Sequence, residues 1–193
     1  MKKILVTFVF ATAGVFTCTG SATAQAASSA MAPAVTATPV KDPVTASLRM
    51  LLPRSRSNIL GAITSMPADK FSYKPTPDQM TFAHLVIHIA GSNNGLCAKA
   101  ADIPAPKVEE VKETDSKEKL LAAATASFDF CAEALGKMDD SKLGDTVELF
   151  GGHQGPRATV DLFLASGWAD HYAAAAQYLR LNGILPPSAQ PKK

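Results

Sequence analysis

The chain has 193 residues, 47% of them hydrophobic, and a formal net charge of +2. That length suffices for one adequate core and hardly two. The near balance of charge excludes a strongly basic nucleic-acid binder, and past the N-terminal region no stretch approaches the roughly 20 apolar residues of a membrane-spanning helix.

Lys2 and Lys3 precede an uncharged apolar run over residues 4–17, and Ala22-Thr23-Ala24 supplies the small residues that a signal peptidase cleaves after. Residues 1–24 therefore read as a signal peptide, and the expected location is periplasmic or secreted. The run is short for a retained anchor. Val15-Phe16-Thr17 before Cys18 does not match the Leu-Ala-Gly type of sequence that lipidation enzymes read. Cleavage after Ala24 takes two lysines from the 19 basic side chains and nothing from the 17 acidic ones, so charge comes to balance. No nucleic acid and, once the signal is gone, no membrane is expected as partner. Cleavage also removes Cys18 and leaves Cys97 and Cys131. In an oxidising compartment these can pair; the alternative is two buried thiols acting as small apolar side chains.

Residues 25–41, rich in Ala, Ser, Thr, Val and Pro, read as a disordered linker. Asp42-Pro43 has the form of a cap and a first-turn proline, opening a helix that runs to about Met66, with a kink or restart expected at Pro53. After the turn Thr76-Pro77-Asp78 a second helix is expected over 79–100. Asp115 with Glu118 resembles a capping box and opens a third helix over 116–137. Residues 139–156 read as an irregular, Gly-rich connection. Thr159 is the expected cap of a fourth helix, with Asp161 in its first turn, and Asn182-Gly183 ends it. No convincing alternation of strand residues occurs. Four long amphipathic segments give an all-α fold, a helical bundle over residues 42–187 followed by a polar tail at 188–193.

The four histidines are His84, His88, His153 and His171. His84 and His88 are four apart, which puts both imidazoles on one helix face, the arrangement in which helices present paired metal ligands. Gly91 and Gly95 continue that stripe; on the fourth helix the matching stripe is Gly167, His171, Ala174 and Tyr178. Small residues beside the rings leave room for a ligand or metal, and they equally allow close helix packing around hydrogen-bonded core histidines. Spacing leaves both readings open.

Two longer stretches carry more information. The run Met66-Pro67-Ala68-Asp69-Lys70-Phe71-Ser72-Tyr73-Lys74-Pro75-Thr76-Pro77, then Thr81-Phe82-Ala83-His84-Leu85-Val86-Ile87-His88-Ile89-Ala90, resembles the DinB-like family. So does the ending Asp170-His171-Tyr172, followed by Tyr178-Leu179-Arg180-Leu181-Asn182-Gly183-Ile184-Leu185-Pro186-Pro187. The resemblance spans about residues 45 to 187. It implies an up-down four-helix bundle, often a homodimer, with a divalent metal such as Zn²⁺ or Ni²⁺ on three histidines. One comes from the second helix and two, spaced i and i+4, from the fourth. The second-helix ligand falls on His88 and the later fourth-helix ligand on His171. The earlier one falls on Gly167, which has no side chain to coordinate with. His84, one turn from His88, and Asp170, beside His171, are the candidates to replace it.

Two functions follow from the resemblance. One is a metal-dependent enzyme, thiol-transferase-like or hydrolase-like, with the metal activating a bound thiol or water. The other is a non-catalytic bundle that binds a small molecule or a protein partner. Other chemistries fail sooner. Phe150-Gly151-Gly152-His153-Gln154-Gly155 lacks the Gly-Lys-Ser/Thr ending of a phosphate loop, and no Gly-x-Ser-x-Gly elbow occurs.

Overall fold

The computed structural model describes residues 38–191; the expected signal peptide and almost all of the expected linker lie outside them. The elements are α1 (Pro43–Ser65), α2 (Phe82–Ala101), α3 (Lys117–Gly136) and α4 (Arg157–Leu181), with a hairpin of β1 (Thr146–Glu148) and β2 (Gln154–Pro156) before α4. The four helices build an all-α bundle, as the amphipathic segments require. Its largest fully buried side chains include Phe82, Phe128, Ile59, Ile63, Met66 and Ile89.

The polar contacts fix the helix directions. Lys117, at the start of α3, reaches the carbonyls of Thr64 and Met66 at the end of α1, and Arg49 near the start of α1 reaches the carbonyl of Leu135 at the end of α3. These two helices are antiparallel. Asn93 meets Ser127 and Cys97 meets Cys131, so α2 and α3 run the same way. Asn93 also accepts from the Trp168 indole, and Arg157 reaches Lys99, so α4 runs against α2. α1 and α4 thus point one way and α2 and α3 the other. The 102–116 segment must travel the length of the bundle to join α2 to α3, since parallel neighbours need a crossover. Cys97 and Cys131 form a disulfide between these two helices, with Cα atoms 5.2 Å apart.

Several local expectations change. Pro53 interrupts nothing: it sits on the exposed side of one continuous helix, while Leu48, Leu52 and Ile59 anchor that helix to the core on both sides of it. Asp42 does not cap α1. It takes a left-handed conformation and accepts the N–H of Asp140, whose own carboxylate serves the helix terminus instead. Ser116, not Asp115, caps α3, accepting from the N–H of Lys119 at 3.2 Å; Asp115 accepts from the N–H of Lys112 and pairs with Lys119. Thr159 is inside α4, whose first N–H groups, on Arg157 and Ala158, donate to the carbonyls of Asp145 and Leu143. The connection expected to be irregular contains the β1–β2 hairpin.

The end of α4 matches the sequence. Gly183 has φ of 73°, its N–H donates to Arg180 and that of Ile184 to Leu179, the paired bonds that close a helix on a left-handed glycine. The chain beyond does not leave at once. Ser188 exchanges hydrogen bonds with the Tyr172 hydroxyl, and Pro187 lies so near Gly61 that a Cβ there would come within 2.9 Å of it. The start of the expected tail is therefore held against α1 and α4 at Pro187 and Ser188.

Candidate functional site

Because α2 and α4 are antiparallel and each carries a histidine on its inward stripe, His88 and His171 meet. Their ring centroids are 5.0 Å apart with the planes perpendicular, an edge-to-face contact. His88 is the exposed partner, and its Nε2 lies 3.5 Å from the Ser92 hydroxyl one turn along α2. His171 is half-buried, and its Nδ1 is buried without a hydrogen-bond partner. Burial and then the neighbouring His88 hold the His171 imidazole below its usual value, against an opposing pull from Asp170. It is therefore neutral at pH 7, able to accept one hydrogen bond and donate another.

His84 and Asp170 do not join this pair. The Nδ1 of His84 lies 2.8 Å from a carboxylate oxygen of Glu113, whose other oxygen accepts from the Thr81 hydroxyl at 2.5 Å. Its ring is committed to holding the crossing segment against the start of α2. Asp170 is exposed and touches His171 only through its field. Gly167 leaves real space: a Cβ there would meet only Cε1 of His171, at 3.8 Å, an ordinary contact. Among the described residues no three His, Cys, Asp or Glu side chains converge. His153 is exposed in the hairpin loop.

Beside Ser92, the groove between α2 and α4 opens into a cavity of about 170 Å³, lined by Gly91, Ser92, Gly95, Val160, Phe150 and Phe163 among others. The Phe150 and Phe163 rings stack at 5.4 Å, and Phe150 is 66% exposed, so the hairpin contributes an aromatic lip. Lys99 at the rim is occupied by the carbonyl of Glu148. The sequence reading missed Ser92, Phe150 and Phe163. Two were within reach: Ser92 is one turn past His88, and Phe163 is one turn before Gly167, so both extend stripes already drawn.

A family profile described as the DinB superfamily matches residues 51–173. The chain belongs to the DinB superfamily. Among solved structures, a DinB-like protein from Bacillus subtilis superposes with a TM-score of 0.61 at 19% identity, over 75% of this chain and 99% of that one. A DinB-like protein from Bacillus cereus gives 0.60 at 14% identity, over 74% and 95%. At these identities the likeness is one of fold. No curated protein matches the chain. The DinB resemblance implies a three-histidine metal centre, and here the donor set falls short of it. His88 and His171 supply two imidazoles, Gly167 supplies none, and the two candidate replacements are elsewhere. Catalytic zinc sites generally use three protein ligands with an open fourth position. The residues present do not fit that centre.

Proposed function

We propose that this DinB-superfamily chain is an exported small-ligand-binding bundle, with the groove between α2 and α4 as its site. The observation that carries the reading is the His88–His171 contact standing beside an apolar cavity, with Gly167 where a third metal ligand would be. An apolar cavity of about 150 Å³ can hold a benzene ring, so this one accepts a single aromatic or branched aliphatic group. A hydrogen-bond donor on the same ligand would meet the neutral imidazole of His171. The Cys97–Cys131 disulfide supports the exported part of the reading, since such bridges persist in oxidising compartments.

Two measurements on the purified chain test this. Phenol, a ring with one O–H donor, should raise the Tm saturably, because a ligand that binds only the folded state stabilises it. Gly95→Leu should abolish the shift: a Cβ at Gly95 meets nothing within 4 Å, so the new side chain fills the cavity without displacing backbone. Zn²⁺ and Ni²⁺ should give no stoichiometric complex. A 1:1 metal content lost in both His88→Ala and His171→Ala would establish the metal-enzyme reading in its place.

A further inference from the structure

The other flank of α2 has a larger hollow. Between α2, α3 and the extended part of the crossing segment lies a cavity of about 490 Å³, inside the size range of small-molecule sites. Ala90, Gly91 and Ala126 keep the helix walls low, while Val108 and Val111 from the crossing segment close over them. Val108 is 61% exposed although its neighbours are apolar, so the cover is partial.

Asn94 lines this cavity, and its Oδ1 is buried without a hydrogen-bond partner. A buried amide acceptor left unpaired is costly, and native structures generally supply a donor. The charges at the mouth limit what that donor can belong to. Lys119 is already engaged, 2.9 Å from Glu109 and 3.3 Å from Asp115, and Glu110 has no ion pair among the described residues. The rim is acid-rich with its one lining cation satisfied, which disfavours an anion. The cover is pinned by surface polar contacts, through Glu113 to Thr81 and His84 and through Glu109 to Lys119.

We propose that this second cavity binds a neutral, largely apolar small molecule carrying one N–H or O–H group, whose hydrogen bond Oδ1 of Asn94 accepts once the amide turns toward the cavity. The site is separate from the α2–α4 groove, on the far side of the Gly91 backbone.

The probe is N-phenyl-1-naphthylamine, a neutral aromatic amine with a single N–H, compared with its anionic relative 1-anilinonaphthalene-8-sulfonate. Fluorescence titration of the folded chain should give one saturable site for the amine and at least tenfold weaker binding of the sulfonate. Ala126→Trp fills the cavity from an exposed position that tolerates a large side chain, and should weaken the amine at least tenfold. Asn94→Leu removes the acceptor and should weaken it severalfold, with circular dichroism confirming that both variants fold. Saturating phenol should not displace the amine. The proposal is overturned by absence of saturable binding, by equal affinity for the sulfonate, by undiminished binding to Ala126→Trp, or by displacement with phenol.

Discussion

Asp140 caps Thr45 from 95 positions away. One of its carboxylate oxygens accepts both the backbone N–H of Thr45, at 2.9 Å, and the Thr45 hydroxyl, at 2.8 Å. The other accepts the N–H of Val44 at 2.9 Å. The first turn of α1 is thus completed by a side chain from the connection after α3, and one contact ties the start of α1 to that connection at the same end of the bundle.

Asp140→Ala should therefore cost about 1–2 kcal/mol in denaturant unfolding, the usual range for losing a helix cap. Burial pushes the Asp140 carboxyl up, but the N–H groups of Thr45 and Val44 outweigh it and hold the group below its ordinary value. A lowered folded-state pKa contributes stability above the unfolded value of 3.8 that is lost as pH falls through the folded one. The gap between wild type and Asp140→Ala should narrow as pH falls below 3.8; a gap that stays constant on acidification would refute the assignment.

Asp161 has the opposite sign. It is 1% exposed, and neither carboxylate oxygen has a hydrogen-bond partner. Burial first, then Asp140, raises it from 3.8 to about 6, and Arg157 only partly compensates. Here stability is fully present below the unfolded pKa and lost as pH rises through the folded one. A shift of this size corresponds to about 3 kcal/mol. Asp161→Asn should gain stability over wild type by up to that amount between pH 4 and pH 8, measured as the pH dependence of unfolding free energy. Parallel pH profiles for the two proteins would disprove it.

Gly167 offers two readings of one position. Gly167→Ala should stabilise the chain by up to about 1 kcal/mol, because mid-helix glycine is disfavoured and the Cβ has room. Gly167→His would add a third imidazole beside His88 and His171. Calorimetric titration should then show 1:1 binding of Zn²⁺ or Ni²⁺ that wild type lacks and that His88→Ala removes. Failure of the variant to bind either metal would mean that the helix spacing, and not only the missing donor, is unsuited to a metal.

The disulfide closes a loop with a sequence separation of 34. Chain-entropy reasoning gives such a bridge about 4 kcal/mol as an upper value. Replacing both cysteines by serine should lower stability by about 2–4 kcal/mol, and thiol titration of denatured, unreduced protein should find no free thiol at Cys97 or Cys131.

Much of the helical framework was legible because it is written locally. The i, i+4 stripes through His88 and His171 and the Asn182-Gly183 stop depend on neighbours within one or two turns, and each stands where the spacing put it. What was not legible depends on partners distant in sequence. Nothing near Asp42 announces that Asp140 will take over the cap, and nothing near His84 announces Glu113, 29 residues on. The shared direction of α2 and α3 is likewise invisible to periodicity, which has no sense of direction. Asp161 looked like an ordinary first-turn acid; only packing shows it to be sealed and unpaired. The α2–α4 groove was half readable: its histidines were, but its aromatic lip comes from a hairpin too short to announce itself.

Trp168 is the chain's one tryptophan. Its indole donates to Asn93 at 2.9 Å, and Asn93 in turn donates to Ser127, so the ring is bonded where α2, α3 and α4 join. It follows Gly167 and precedes His171 by less than a turn. Intrinsic emission from this protein is thus a signal from a single known place, and an unlabelled sample can report by colour and intensity when the helices separate.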